Sequence, residues 1–359
     1  MTLFYFIGGL VLMITGAEAL VRGASKLART VGLSPLIIGL TIVAFGTSAP
    51  EMAVSVLAGL AGKADISLGN VVGSNIFNVL FILGVSSLIT PLIVSAQLVR
   101  LDVPIMVAVS ILTLMLGADG KIGRIDGILL FAGIIIYTAF LIHQGRRENK
   151  DFHGEKVPTS INKQSALGAG LLVNIGLIIV GLALLVLGSN WLVRGAVAIA
   201  QFLGVSQLLI GLTVVAAGTS LPEVATSVVA ALRGERDIAV GNVVGSNIFN
   251  IMAVLGMSAL VASEGITISD ITLRFDIPIM TAVAVACLPI FFTGNVISRW
   301  EGGLFLGYYL TYTLYLILSA TRSDILPLFG RAMLWFVIPI TAVTLLVVLV
   351  RAIRLRNRV

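Results

Sequence analysis

Cysteine occurs once in the 359 residues, at Cys287, and histidine twice, at His143 and His153. One thiol excludes an internal disulfide and a cysteine-built metal cluster. Two histidines, both in or beside a polar stretch, leave no basis for a histidine-ligated metal or a Ser-His-Asp triad. No nucleophile–base pair and no cofactor motif is present, so the chain is not expected to be an enzyme or to carry a cofactor. Charge is scarce as well: 11% of the residues are Asp, Glu, Lys or Arg, against about 25% in a soluble domain. The N-terminus, MTLFYFIGGL, lacks the basic segment of a cleaved signal peptide and reads as a first membrane span.

What is there instead is apolar: 58% hydrophobic residues and 38 glycines. This is the composition of an all-α polytopic membrane protein, in which small residues let helices approach closely. Runs long enough to cross hydrocarbon fall near 3–21, 34–60, 66–90, 103–118, 125–143, 166–190, 206–232, 238–262, 276–293, 300–319 and 330–350, eleven in all. With the N-terminus outside, 16 basic residues fall on the cytoplasmic side and 7 outside, which favours an N-out, C-in protein of the plasma (inner) membrane. The net charge of +6 follows this topology and does not point to nucleic acid. The polar stretch 144–165, with Gly154 and Pro158, reads as a flexible cytoplasmic linker between a half at 1–143 and a half at 166–320. Residues 321–359 add a further C-terminal span and a basic tail. Trp191, Trp300 and Trp335 fall near span ends, where interfacial anchors belong.

The two halves are copies. Residues 41–84 align with 213–256 without a gap, and 28 of 44 positions are identical. RLDVPIM at 100–106 returns as RFDIPIM at 274–280, and RIDG at 124–127 as RWEG at 299–302. The repeat is five spans long, and an odd number forces the second copy to cross in the opposite sense. The fold expected is therefore two inverted-topology five-helix repeats, a ten-helix core, with one extra C-terminal helix.

Two motifs carry the chemistry. GTSAPE at 46–51 and GTSLPE at 218–223 should break a helix, because proline lacks the N–H that would continue it and glycine tolerates open backbone. Ser48 with Glu51, and Ser220 with Glu223, also fit a capping box. Broken backbone at membrane depth is tolerated only where protein or a watery cavity satisfies it. The partner motif, GNVVGSNIFN, stands identically at 69–78 and 241–250. Gly69 with Gly73, and Gly241 with Gly245, give the spacing for close helix contact. Together the copies offer carboxylates from Glu51 and Glu223, hydroxyls from Thr47, Ser48, Ser74, Thr219, Ser220 and Ser246, and amide oxygens from Asn78 and Asn250. Oxygen donors of this kind suit hard cations, Ca²⁺ above all, and smaller groupings among them suit Na⁺.

Other polar residues have plainer readings. Glu18 sits one turn before Arg22, an i,i+4 ion pair, and its repeat counterpart is Asn190. Asn70 and Asn242 read as interhelical hydrogen-bond glue. Asp102 and Asp276, each two residues before a proline, read as structural acids at helix starts. Tyr308, Tyr309, Tyr312 and Tyr315 read as packing.

The doubled, correctly ordered motifs resemble the alpha-repeats of the calcium/cation antiporter superfamily, nearest to prokaryotic sodium/calcium exchangers and the branch related to potassium-dependent ones. The resemblance runs to about residue 320. It implies a ten-helix core with ion sites clustered at mid-membrane, backbone carbonyl ligands at Ala44 and Ala216, and side-chain ligands at the ten motif residues above. The partners it implies are inorganic cations and the lipid bilayer: Ca²⁺ and Na⁺ as cargo, with K⁺ as an additional candidate. The chain departs from the pattern at Asn250, where many members carry an aspartate. The expected function is Na⁺-driven Ca²⁺ antiport by alternating access, with the Gly-rich spans 1 and 6 as the sliding gate. The alternatives are H⁺/Ca²⁺ antiport and a passive cation channel.

Overall fold

In hydrocarbon every backbone N–H and C=O must be satisfied within the protein, and helix does this locally. The computed structural model, which describes residues 1–152, 163–292 and 294–356, is accordingly helical almost throughout. In chain order the helices are α1 (Thr2–Val31), the broken α2 (Pro35–Thr47 and Ala49–Leu60), α3 (Ala64–Ile89), α4 (Leu98–Asp119) and α5 (Arg124–Phe152). The second copy gives α6 (Lys163–Phe202), a broken α7 (Gln207–Ile210, Gly211–Val215, then Leu221–Leu232), α8 (Arg236–Val261), α9 (Thr272–Phe292) and α10 (Arg299–Ala320). A last helical segment, α11, runs from Leu326–Ala332 through Met333–Val337 to Ile338–Arg356. It lies beyond the ten-helix core and touches it through Tyr308, whose hydroxyl donates to Thr341 Oγ1 at 2.8 Å.

The order of elements matches the expected repeat, but several helices are longer than their apolar runs. α1 does not stop at residue 21: Arg22 pairs with Glu18 and Arg29 donates to Ser25, so the charges are absorbed along the helix. It ends at Gly32, whose φ of 68° supplies the left-handed cap. α5 and α6 likewise extend into the stretch read as a linker, to Phe152 and from Lys163. His153, Gly154 and Pro158 lie outside the described residues. Trp191 falls inside α6 instead of at a span end and packs on Phe4 and Tyr5 of α1, with ring centroids 5.5 and 5.6 Å away.

α1 and α6 cross antiparallel along a glycine seam. A Cβ at Gly9 would lie 2.8 Å from the carbonyl of Gly188, at Gly16 2.8 Å from that of Gly181, and at Gly23 2.9 Å from that of Asn174. The seven-residue spacing keeps one stripe of each helix facing the other along the whole crossing. α3 and α8 form the centre; every residue of GNVVGSNIFN at 241–250 is buried.

Two short antiparallel bridges tie the repeats together. Leu92–Ile93, between α3 and α4, pairs with Val296–Ile297, between α9 and α10. Lys121–Ile122, between α4 and α5, pairs with Ile266–Thr267, between α8 and α9. These pairings put the third-to-fourth loop on the same face as the ninth-to-tenth, and the fourth-to-fifth on the same face as the eighth-to-ninth. Only opposite insertion of the two halves does that.

The two aspartates read as structural are hydrogen-bonded alike: Tyr137 donates to Asp102 at 2.9 Å and Tyr312 to Asp276 at 3.2 Å. The remaining tyrosines pack, Tyr309 against Phe77 and Phe81 and Tyr315 against Phe275.

Candidate ion-binding site

Each GTS-x-PE motif breaks its helix as its composition dictates. The two halves of α2 meet at 48° about Ser48, whose ψ is 7°, and Ser220 has the same conformation with ψ of 6°. Pro50 and Pro222 open the second half-helices, and Glu51 and Glu223 stand in the first turns. A carboxylate there lies where the helix dipole and unpaired N–H groups favour negative charge. Both glutamates are fully buried.

The capping box does not form. Neither Ser48 nor Ser220 makes a side-chain cap; each hydroxyl crosses to the other repeat. Ser48 donates to Glu223 Oε1 at 3.0 Å, and Ser220 to Glu51 Oε1 at 2.7 Å. The Ser74 hydroxyl lies 3.5 Å from the same Glu51 oxygen and 3.0 Å from the Ser220 oxygen. A buried carboxylate gains more from a hydroxyl than a solvated helix end does, so the serines serve the acids.

The threonines also bond across the repeats. Thr47 donates to Asn242 Oδ1 at 3.1 Å, and Thr219 to Asn70 Oδ1 at 3.2 Å. The amide of Asn70 then donates to the carbonyl of Glu51 and to Ser55, and Asn242 does the same to Glu223 and Ser227. These two asparagines bind the helix breaks in place, as interhelical glue should. The carbonyl of Ala44 accepts from the backbone N–H of Ser48 at 3.0 Å.

Asn78 and Asn250 each begin a π-helical turn, Asn78–Leu83 and Asn250–Leu255. Such turns recur at functional sites. Asn75 and Asn247, one turn earlier, were not among the expected site residues. They interlock at the centre: each amide nitrogen donates to the other's backbone carbonyl at 3.3 Å. Their identity in both copies of the motif was the available signal, but a buried Asn on a central helix is otherwise read as glue.

Five buried oxygens at this centre accept from no protein donor: Glu51 Oε2, Glu223 Oε2, Asn78 Oδ1, Asn250 Oδ1 and the hydroxyl of Ser246. Buried acceptors are nearly always paired. Two carboxylate and two amide oxygens left without hydrogen-bond donors are ligands of the kind a hard cation takes. Among the described residues no group of three or more His, Cys, Asp or Glu is placed to hold a metal ion, so the only acids these oxygens include are the two glutamates.

The two copies differ in exposure. Ala44, Thr47 and Asn242 are buried, while their counterparts Ala216, Thr219 and Asn70 are exposed or half-buried. Likewise Gly241 and Gly245 pack against Leu36 and Leu40 of α2, but a Cβ at Gly69 or Gly73 would meet nothing within 4 Å. The close contact expected from both glycine pairs is thus made by one. The first half of α2 is seated on α8, and the first half of α7 stands off α3. Thr219 and Asn70 thus mark the more exposed flank of a site whose glutamates are themselves fully buried, and Thr47 and Asn242 the more tightly packed one.

The tightly packed side carries ion pairs that the other side lacks among the described residues. Glu18 bonds both Arg22 and Arg233, and Ser25 donates to Glu235 at 2.6 Å with Arg29 3.5 Å away. This fastens α1 to the α7–α8 loop. The repeat counterparts of Glu18, Ser25, Arg233 and Glu235 are Asn190, Val197, Ala61 and Lys63, a set with no acid to pair with the lysine. Sequence reading found only the Arg22 partner.

Comparison with known proteins places this geometry. A family model described as sodium/calcium exchanger protein matches residues 1–143 and 173–318. The chain is 38% identical over 327 residues to a putative antiporter, CaxA, of Alkalimonas amylolytica, covering 89% of this chain and 99% of that one. It is 32% identical over 335 residues to the sodium/calcium exchanger MaX1 of Methanosarcina acetivorans, covering 85% and 95%. A solved structure of the sodium-calcium exchanger NCX_Mj, soaked with Na⁺ and Sr²⁺, superposes with a TM-score of 0.72 at 31% identity, covering 89% of this chain and 97% of that one.

Proposed function

The chain belongs to the sodium/calcium exchanger protein family, a family of multi-pass membrane antiporters and not of enzymes, and on that premise we propose that it exchanges Na⁺ for Ca²⁺ by alternating access. Ca²⁺ and Na⁺ compete for the cradle of Glu51, Glu223, Asn78 and Asn250, with Ser48, Ser74, Ser220, Ser246, Thr47, Thr219 and the carbonyls of Ala44 and Ala216 completing the ion sites. The observation that carries this reading is the set of donorless buried oxygens around two carboxylates. Inward Na⁺ movement would drive Ca²⁺ outward, helped by about 2.3 kcal/mol per net charge per 100 mV of membrane potential.

The test is Ca²⁺ uptake into vesicles with and without an imposed Na⁺ gradient. Uptake above equilibrium that follows the Na⁺ gradient supports the reading. Uptake driven by a pH gradient in Na⁺-free medium points to proton coupling, and downhill flux alone to a channel.

In an N-out topology the flank of Thr219 and Asn70 is extracellular and the fastened one cytoplasmic. Single cysteines in a Cys287→Ala background are expected to report this: Lys121→Cys should react with an impermeant thiol reagent in intact cells, and Gly154→Cys should not. Labelling at 154 overturns the orientation.

The charged fastening should bias the transporter toward the conformation described here. Glu18→Gln leaves Arg22 and Arg233 without their carboxylate. Such part-exposed pairs contribute about 0.2–1 kcal/mol, so apparent Ca²⁺ affinities at the two faces should shift by up to about fivefold, without loss of exchange. Abolished exchange in Glu18→Gln would mean that this acid belongs to the transport site.

A further inference from the structure

The orientation of an asparagine amide decides whether it offers a cation an oxygen or repels it with N–H groups. In this site that orientation can be traced to atoms that cannot turn. The backbone carbonyl of Asn75 only accepts, so the end of the Asn247 side chain that meets it at 3.3 Å is the NH₂. The other end is then oxygen, and it accepts from Asn78 Nδ2 at 3.1 Å. With its nitrogen held there, Asn78 turns its oxygen to the opposite side, where it meets no protein donor. The second copy repeats the logic. The carbonyl of Asn247 fixes Asn75, Asn75 Oδ1 accepts from Asn250 Nδ2 at 3.2 Å, and Asn250 Oδ1 is left free. The remaining amide protons of Asn75 and Asn247 face the sulfurs of Met280 and Met106 at 3.6 Å. All four asparagines are buried, Asn75 and Asn247 to within 2%.

We propose that Asn75 and Asn247 are positioning residues for cation transport: Asn247 holds the Asn78 oxygen, and Asn75 the Asn250 oxygen, toward the ion before it arrives. This rests on the proposed function. Preorganised ligands bind more tightly because no rearrangement opposes binding, and here each repeat aims the ligand of its partner. The two branches are separable, since Asn247→Ala keeps the backbone carbonyl that fixes Asn75 and Asn75→Ala keeps the one that fixes Asn247.

The experiment is a set of double-mutant cycles on Na⁺-dependent Ca²⁺ flux in proteoliposomes, reading KM for Ca²⁺ apart from maximal rate. Asn247→Ala alone is expected to raise KM about tenfold, the scale of one well-placed hydrogen bond. In an Asn78→Ala background the same change should add nothing, because its only route to the ion is gone. In an Asn250→Ala background it should keep its full factor. Asn75→Ala should show the mirror pattern, silent with Asn250→Ala and additive with Asn78→Ala. A role confined to packing gives the same factor in both backgrounds, and that result overturns the proposal. If Asn247→Ala does not insert, the mirror cycle on Asn75 and the smaller change Asn247→Ser carry the same test, and coupling of Asn75 to Asn78 in place of Asn250 overturns it equally. Absence of Na⁺-driven flux in the unaltered protein would refute the functional reading. Intact flux with additive cycles would refute the positioning role alone.

Discussion

Glu51→Gln and Glu223→Gln are each expected to reduce Ca²⁺ exchange at least about 100-fold while leaving the protein inserted and monodisperse. In each glutamate Oε1 accepts a serine from the other repeat and Oε2 accepts nothing. A glutamine that keeps its oxygen on the serine must put its NH₂ where Oε2 was, so a donor faces the cation and one of two balancing charges is lost. Breaking one partner of a buried charge pair costs about 3–5 kcal/mol, and every 1.4 kcal/mol is tenfold. Flux of purified variants in proteoliposomes, with yield and size-exclusion profile as the folding control, checks the expectation. Near-normal exchange in either variant removes that residue from the site.

The second large effect should come from two glycines that hold the same place in the motif. A Cβ on Gly245 would lie 2.7 Å from the backbone of Leu40 and 2.9 Å from Ala44 Cβ, whereas one on Gly73 meets nothing. Overpacking costs about 1–3 kcal/mol. If the repeats exchange roles during transport, Gly245→Ala disfavours the conformation described here and Gly73→Ala disfavours its mirror image. Both should slow exchange about tenfold or more, because the cycle needs both states, but they should stall it on opposite sides. In a Cys287→Ala background, Ala216→Cys should stay reactive to thiol reagents and Ala44→Cys protected when combined with Gly73→Ala. With Gly245→Ala the pattern should reverse. The same labelling pattern in both would mean that the two seats are not exchanged.

The fold was open to reading because its causes are local and doubled. Hydropathy marks the spans, and an odd-length repeat forces inversion whatever the details. Glu51, Glu223, Asn78 and Asn250 stood out because polar residues recur inside apolar runs at one offset, and all four are buried in the structure. Three things were not legible, each for a physical reason. Helix ends depend on whether charges find partners, so Arg22 and Arg29 looked like the end of a span that in fact runs to Val31. The S-x-x-E pattern has the spacing of a cap, but its hydroxyls answer to a carboxylate 175 or 169 positions away in sequence. The unequal packing of Gly73 and Gly245 cannot be written in two identical decapeptides, since it belongs to a conformation and not to a composition.

The glycine seam between α1 and α6 has a mechanical consequence. Its backbones approach closely at three points, Gly9 with Gly188, Gly16 with Gly181 and Gly23 with Asn174, so neither helix can bend away alone without opening a void that no rotamer can fill. The two travel together or not at all. Since one comes from each repeat, a push that moved the first half of α7 in the proposed cycle would be delivered through the same stiff beam to the first half of α2. In the proposed exchange cycle the seam would act as an interlock, in which leakage through two doors at once is prevented by the rigidity of a shared bolt, with no need for each door to sense the other.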